Sequence, residues 1–484
     1  MKTTFGIKPG TAIWLLFAAG AAILAIAGCD ANTESGFATS EETDDKVLYT
    51  PEPLKLLAIG VPDFDAEISR QWAAERDGDL KIEHLSLDEF DTSDASQADV
   101  DLILHPSTIN ADLVSRGMVR VFPRDGLDDP EMNLSAFLLH FRKALVRHDD
   151  KTWSVSLGGH QLRLFYRRDI LDAAQIAVPE TWEDLTLAID KLNDVESARE
   201  LTPIVIPTAG ESAGQMFMAR VACLIRDQGK LTSFFDRRTM EPTVASAPFE
   251  TALEEVKRLA EKTGGTFSVS EVFQKFAAGQ AVFAIAWPSL DESIDADSIE
   301  KESAKWGVVR LPGSPSFYDL KESRWYKRSK DEDVKVDLLG IAANNISVAS
   351  GTSNAKDAAE FVVWLTSKRN SQKLLQSTSA PFRAIHLARV GQWYSMEQAD
   401  RKLLDQLADS ITETHDSRIF LMFPQLPGKR QYLKILDDAV AEFLADQAGD
   451  AKATLGRVAK EWESVTESHG RQSQINELRR GNGI

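Results

Sequence analysis

The chain has two cysteines in 484 residues, Cys29 and Cys223, so no disulfide framework supports it and stability must come from packing. Its eight histidines show no HExxH spacing, and no CxxC pair, Gly-rich phosphate loop or Gly-x-Ser-x-Gly elbow is present. Those absences remove the recognisable zinc, nucleotide-binding and serine-hydrolase signatures, so no catalytic residue, metal or cofactor is expected. Basic residues are also short: 55 Lys and Arg against 74 Asp and Glu leave a net charge of −19. That balance argues against nucleic acid and against electrostatic adhesion to anionic lipid, because both are polyanions. Cys223 sits in the apolar helical pattern of Arg220-Val221-Ala222-Cys223-Leu224-Ile225, where it reads as a small buried residue.

What is present begins at the N-terminus. Lys2 and Lys8 precede the uncharged run Thr11 to Gly28 and the tetrapeptide Ile26-Ala27-Gly28-Cys29, which together read as an export signal with its cleavage site. The tetrapeptide resembles a bacterial lipoprotein lipobox. That resemblance implies cleavage before Cys29, acylation of Cys29 and a tether to a membrane surface, with Asp30 similar to an inner-membrane retention signal. The alternative is an uncleaved membrane anchor, since about 20 apolar residues span a bilayer. Either reading delivers the body outside the cytoplasm. Residues 29–53 then form a linker rich in Thr, Ser, Glu and Asp, with Glu41-Glu42-Thr43-Asp44-Asp45 as a solvated acidic run that cannot bury enough apolar surface to order itself.

The remaining residues exceed what one core organises, so two lobes are expected. Leu54 to Val61 has the length and apolarity of a strand, and Phe64, Ile68 and Trp72 recur at helical spacing. Strands at Leu80 to Leu85 and Val100 to Leu104, then a short helix to Gly117, give an α/β pattern with a mainly parallel sheet. Ligands collect at the carboxyl ends of such strands, here the loops 62–65 and 105–108. Residues 136–148 read as a helix. Gly158-Gly159, between two extended segments, mark a point where the chain bends or crosses. In Val178-Pro179-Glu180-Thr181-Trp182-Glu183-Asp184-Leu185, Thr181 is placed to cap a helix with Asp184 three residues on, and Trp182, Leu185, Ile189 and Leu192 form the buried face.

Tyr166-Arg167-Arg168-Asp169 followed by Pro179-Glu180-Thr181-Trp182-Glu183-Asp184-Leu185 resembles the extracellular solute-binding proteins of ABC importers, in the large carbohydrate-binding group typified by maltose-binding protein. Three further segments are similar to that family in the same order: Phe276 to Phe283, Val308-Val309-Arg310-Leu311-Pro312-Gly313, and Asn354 to Leu365. The similarity covers about residues 54 to 465. It implies a two-lobed fold with a cleft between α/β lobes, one comprising 54–157 plus 314–380 and the other 158–313 plus 381–484. The chain departs from the family where Arg167 replaces an Asn, where Ser156-Leu157 replaces a proline, and in the basic, aromatic segment 314–337.

Carbohydrate hydroxyls need polar partners and the C–H faces suit aromatic rings, so a sugar site mixes carboxylates, amides and Arg with Trp or Tyr. Trp287 ends the apolar strand Ala284-Ile285-Ala286 where the resemblance implies a stacking residue; its alternative is core packing. Trp153 is positioned to stack from the first lobe or to be buried by strand alternation. Tyr432 stands where the resemblance implies an aromatic contact at a helix start, against simple packing. Asp63 and Asp65 follow the first strand as hydroxyl acceptors, and Asp63 is alternatively a helix cap. His105 ends an apolar strand, His160 and Gln161 follow the paired glycines, and Arg383 lies in the family's second crossing region, where an interlobe salt bridge is its other use. The cluster Lys321 to Lys330 reads as a solvated loop, and would suit an acidic sugar if it faced the cleft.

The expected protein is thus a monomeric, lipid-anchored, extracytoplasmic binder of a carbohydrate-type ligand, handing it to an ABC permease and performing no chemistry. A secreted carbohydrate-active enzyme would instead bring two acids, or a nucleophile and base, into one cleft. A lipoprotein sensor or scaffold would show a cleft without aromatics or one blocked by 314–337.

Overall fold

The computed structural model describes residues 52–484 apart from 62–65, 77, 93–97, 144–145, 227–232, 291–295, 377–379, 447 and 482–484. The signal segment, Cys29, nearly all of the linker, Asp63 and Asp65 lie outside the described residues. Two sheets organise the body. The first has the order β2-β1-β3-β15-β6, from β1 (Leu54–Ile59), β2 (Leu80–Leu85), β3 (Leu102–Pro106), β6 (Val155–His160) and β15 (Ala342–Val348). The second has the order β11-β7-β10-β8, from β7 (Arg163–Arg167), β8 (Thr202–Val205), β10 (Ala281–Ala286) and β11 (Trp306–Arg310).

Both sheets have a single reversed strand. β1 runs parallel to β2 and β3, while β15 is antiparallel to β3 and β6. In the second sheet β10 is parallel to β8, and β7 is antiparallel to β10 and β11. The exceptions have a common cause. β7 and β15 are the strands by which the chain enters each sheet from the other, so they start at the cleft end, where their neighbours finish.

Within the first sheet, β1 and β3 are buried on both faces. Leu56, Ala58, Leu102 and Leu104 join the main core, while Leu57, Ile59 and Ile103 pack with Phe90, Ile109 and Leu113 on the other side. Continuous apolar runs rather than alternation are the sequence sign of that arrangement. In the second sheet every residue of β10 is buried. The helix Trp182–Lys191 starts as its sequence requires: Thr181 accepts from the Asp184 N–H at 3.1 Å and Asp184 accepts from the Thr181 N–H at 2.9 Å. Trp182, Leu185, Ile189 and Leu192 are all buried.

Two segments differ from their sequence reading. Residues 136–148 do not form one helix: a short helix, Leu139–Lys143, is followed by the hairpin β4 (Arg147–His148) and β5 (Lys151–Thr152). Asp149 and Asp150 take φ of 51° and 55°, the left-handed pair that a tight hairpin turn demands. The basic segment forms β12 (Ser316–Asp319) and β13 (Arg324–Lys327), which pair with each other, and β12 also pairs with β9 (Ile225–Arg226) beside the second sheet's helices. The remaining strands, β14 (Asp337–Leu339) and β16 (Phe420–Met422), pair in parallel.

The helix Ala451–Ser468 contains Gly456, around which an added Cβ would meet nothing within 4 Å. Gly456→Ala is expected to raise unfolding free energy by about 0.5–1 kcal/mol, because glycine wastes backbone entropy mid-helix. Urea unfolding checks it: a midpoint equal to or below wild type contradicts the free space around this position. Among the described residues no helix is long and apolar enough to cross a membrane.

Candidate functional site at the lobe junction

The chain passes between the sheets where β6 ends and β7 begins, and this crossing is built on glycine. Gly158 has φ +96°, and a Cβ there would lie 2.1 Å from the Ala380 carbonyl oxygen. A Cβ on Gly159 would lie 2.5 Å from the Ala343 Cβ. The paired glycines therefore let β6 press against both β15 and the later 380 region, and the next residues, His160, Gln161 and Leu162, emerge at the junction.

There they line a cavity of about 20 Å³ with Leu311, Asp337, Leu338, Ile341 and Ala342 from the return crossing, and with Gln215, Ala219 and Trp287. That space holds about one water, far below the several hundred Å³ of a typical small-molecule pocket. It is small because side chains fill it. The His160 ring stacks on Trp287 with centroids 5.2 Å apart and planes 18° from parallel, and Tyr394 packs at 5.8 Å on His160. Burial pushes the His160 imidazole down to about 4, so it is neutral, and its Nδ1 is shielded with no hydrogen-bond partner.

A charged network supports this floor. Arg310 donates from Nε to Asp337 at 2.9 Å and from Nη1 to Asp333 at 3.2 Å. Arg163, fully buried, stands 3.7 Å from Asp337 and donates to Ser410 Oγ and Thr414 Oγ1 at 3.0 Å each and to Gln161 Oε1 at 3.3 Å. Gln161 in turn donates to the Gly159 carbonyl at 2.8 Å. Two buried cations thus share Asp337, which fixes the polar edge of Gln161 beside Trp287.

Farther from the crossing, the first turn of the helix Lys429–Ala445, packed on the helix Gly210–Ala222, reaches across to the first sheet's side. The Gly428 N–H donates to Asp112 Oδ1 at 2.8 Å, and Arg430 donates to Asp88 at 2.7 Å and Asp91 at 2.9 Å. Lys429, fully buried, donates to the Gly340 carbonyl at 3.3 Å, an oxygen that also accepts from Ser107 Oγ at 3.0 Å. Burial lowers the Lys429 ammonium to about 7 and raises the Asp112 carboxyl to about 6.

Of the residues singled out from sequence, the structure brings His160, Gln161 and Trp287 together. The others are engaged elsewhere. His105 is fully buried, with Nδ1 3.0 Å from the Pro106 carbonyl and Nε2 3.0 Å from Ser347 Oγ. Trp153 donates its indole N–H to the His148 carbonyl at 3.0 Å and packs under the first sheet's second core. Arg383 is 1% exposed, donates to the carbonyls of Met132 and Thr366 at 2.8 and 2.7 Å, and lies over Phe137 rather than bridging to a carboxylate. Tyr432 is fully buried against Trp462, its hydroxyl 2.9 Å from Thr466 Oγ1. Sequence reasoning missed Gln215, Arg163, Arg310, Asp337 and Lys429. Arg163 and Arg310 had a visible signal, a charge at one end of an apolar strand; Asp337 and Lys429 had none.

Among the described residues no cluster of His, Cys, Asp and Glu could hold a metal ion. Ser371 Oγ lies 2.9 Å from His386 Nε2, but Nδ1 of that neutral ring accepts the Phe382 N–H at 3.3 Å, so Nε2 carries the proton and cannot take one from the serine. Asp337 is the one carboxylate lining the cavity.

Residues 142–372 match the family model described as bacterial extracellular solute-binding protein. No curated protein matches the chain. Among solved structures, the sugar-binding protein MalE from Xanthomonas citri shares the fold with a TM-score of 0.63 at 12% identity, covering 86% of this chain and 98% of that one. An ABC transporter solute binding protein from Agrobacterium vitis with bound D-mannitol gives 0.61 at 15% identity, over 87% and 99% of the two chains. Maltose-bound MalE3 from T. maritima gives 0.60 at 16%, over 86% and 100%. The chain shares their two-lobed α/β fold, and its residues 142–372 are similar to the bacterial extracellular solute-binding proteins.

Proposed function

We propose that this protein is a lipid-anchored, extracytoplasmic solute-binding protein that takes a sugar or polyol at the lobe junction and delivers it to an ABC permease without chemistry. The observation that carries this reading is the aromatic plate of Trp287 beside the amides of Gln161 and Gln215 and the Asp337 carboxylate: a face for C–H groups with hydroxyl partners around it. Structures of the same fold hold D-mannitol, ribitol and maltose, which supports that chemical class. His160 covers the plate and would be displaced by the incoming solute. The sensor or scaffold reading draws on a different observation, the nearly filled cavity.

Thermal unfolding of a soluble form beginning after Cys29, against neutral sugars, acidic sugars, polyols and amino acids, separates the two. A ligand at a hundredfold excess over Kd adds about 2.7 kcal/mol. A shift with one class, lost in Trp287→Ala while the fold still melts cooperatively, is the expected result. Silence across the whole panel favours the scaffold.

A further inference from the structure

We infer that Gly428, Lys429 and Arg430 form a latch that ties the two sides of the cleft together through the protein's own contacts, so that these residues set solute affinity without touching solute. The inference rests on the solute-binding reading for its consequence, though the latch itself is a property of the chain alone. In a two-lobed binder the closed form is ordinarily favoured because ligand contacts both lobes. Here the contacts across the cleft are made by the protein.

The placement is what gives them leverage. In the first sheet β6 lies at the edge where the chain crosses to the second, and β2 lies at the opposite edge. The helix Leu87–Thr92 follows β2, so Asp88 and Asp91 stand at the far lip of the cleft, where Arg430 meets them. Gly340 directly precedes the cavity-lining Ile341 and Ala342, so Lys429 holds the near side. One helical turn therefore spans the cleft from junction to lip. The shut form has a cavity of about 20 Å³ and admits no sugar, so it competes with binding: apparent affinity falls by the fraction of molecules that are open.

Hydrogen exchange on the full chain in detergent, without sugar, tests this. Arg430→Ala should speed exchange about fivefold both at its own helix start and across the cleft in residues 87–92 and 107–115, as expected for a partly exposed ion pair. Asp88→Asn with Asp91→Asn, which leaves the Lys429–Ala445 helix intact, should speed exchange at residues 428–432. Effects confined to the mutated side in both variants overturn the latch. Titration with maltose and D-mannitol adds the functional arm: a sugar that binds wild type should bind either variant more tightly, and equal or weaker binding sinks the affinity role. Failure of every sugar with the cross-cleft exchange intact removes the solute reading and leaves the latch standing.

Discussion

Gly158→Ala will cost roughly 3–5 kcal/mol, the range in which a substitution forces backbone to move rather than a side chain. Two penalties combine there. At φ +96° an alanine is strained wherever it sits, and its Cβ would be 2.1 Å from the Ala380 carbonyl oxygen, which belongs to main chain and has no rotamer to change. Gly117 separates the two penalties, because it has φ +66° but nothing within 4 Å of the added Cβ. Gly117→Ala should therefore lose only about 1–2 kcal/mol. Denaturant unfolding of both variants measures the difference. If Gly158→Ala is no worse than Gly117→Ala, the junction is looser than its geometry states.

Acid will destabilise the protein steeply between about pH 6.5 and 4. Burial lowers His105 and His160 to about 4, and lowers His386 to about 3 with help from the neighbouring Arg383 charge. An unfolded imidazole titrates near 6.5, so within this window the unfolded chain holds more protons than the folded one, and stability falls as pH falls. Each buried ring forfeits about 3 kcal/mol by pH 4, at 1.36 kcal/mol for each pKa unit. His140, His415 and His469, also lowered by burial, act with the same sign. Asp112 and Asp437 oppose them, since burial raises both carboxyls and their protonation favours the folded state as pH drops. Two carboxyls stand against six imidazoles, and the balance is a loss of stability as pH falls. Melting temperature against pH checks the sign, and His105→Asn should flatten the slope even if it lowers the starting value. A flat profile from pH 7 to 4.5 would refute this account of the buried rings.

The sequence made local features legible where the physics is local. The Thr181–Asp184 capping box spans four residues, and both partners can be seen without knowing the fold. Trp287 was visible because an aromatic ends an apolar strand, and His160 because it follows two glycines. The network around Asp337 was not: Arg310 lies 27 positions away, Ser410 contacts Arg163 across 247, and nothing in either neighbourhood announces its partner. Tyr432 shows the opposite error. Its position at a helix start suits a ligand contact and core packing equally, and Trp462, 30 residues later, decides for packing by donating to the Tyr432 carbonyl at 2.9 Å. The helix read over 136–148 fails because two aspartates in left-handed conformation turn the chain, a choice that residue type permits but does not force.

The reversed strand β15 has a consequence for synthesis. It lies between β3 and β6, so these cannot join one sheet until residues 342–348 exist. A ribosome that has made the first 340 residues has produced neither a finished first lobe nor the means to finish one, and pairing over such sequence separation is slow in any case. The first sheet stays incomplete through most of translation, although the four strands of the second, all between residues 163 and 310, are already made. Were the chain exported as proposed, late completion of the first sheet would keep that lobe loose until the crossing is under way.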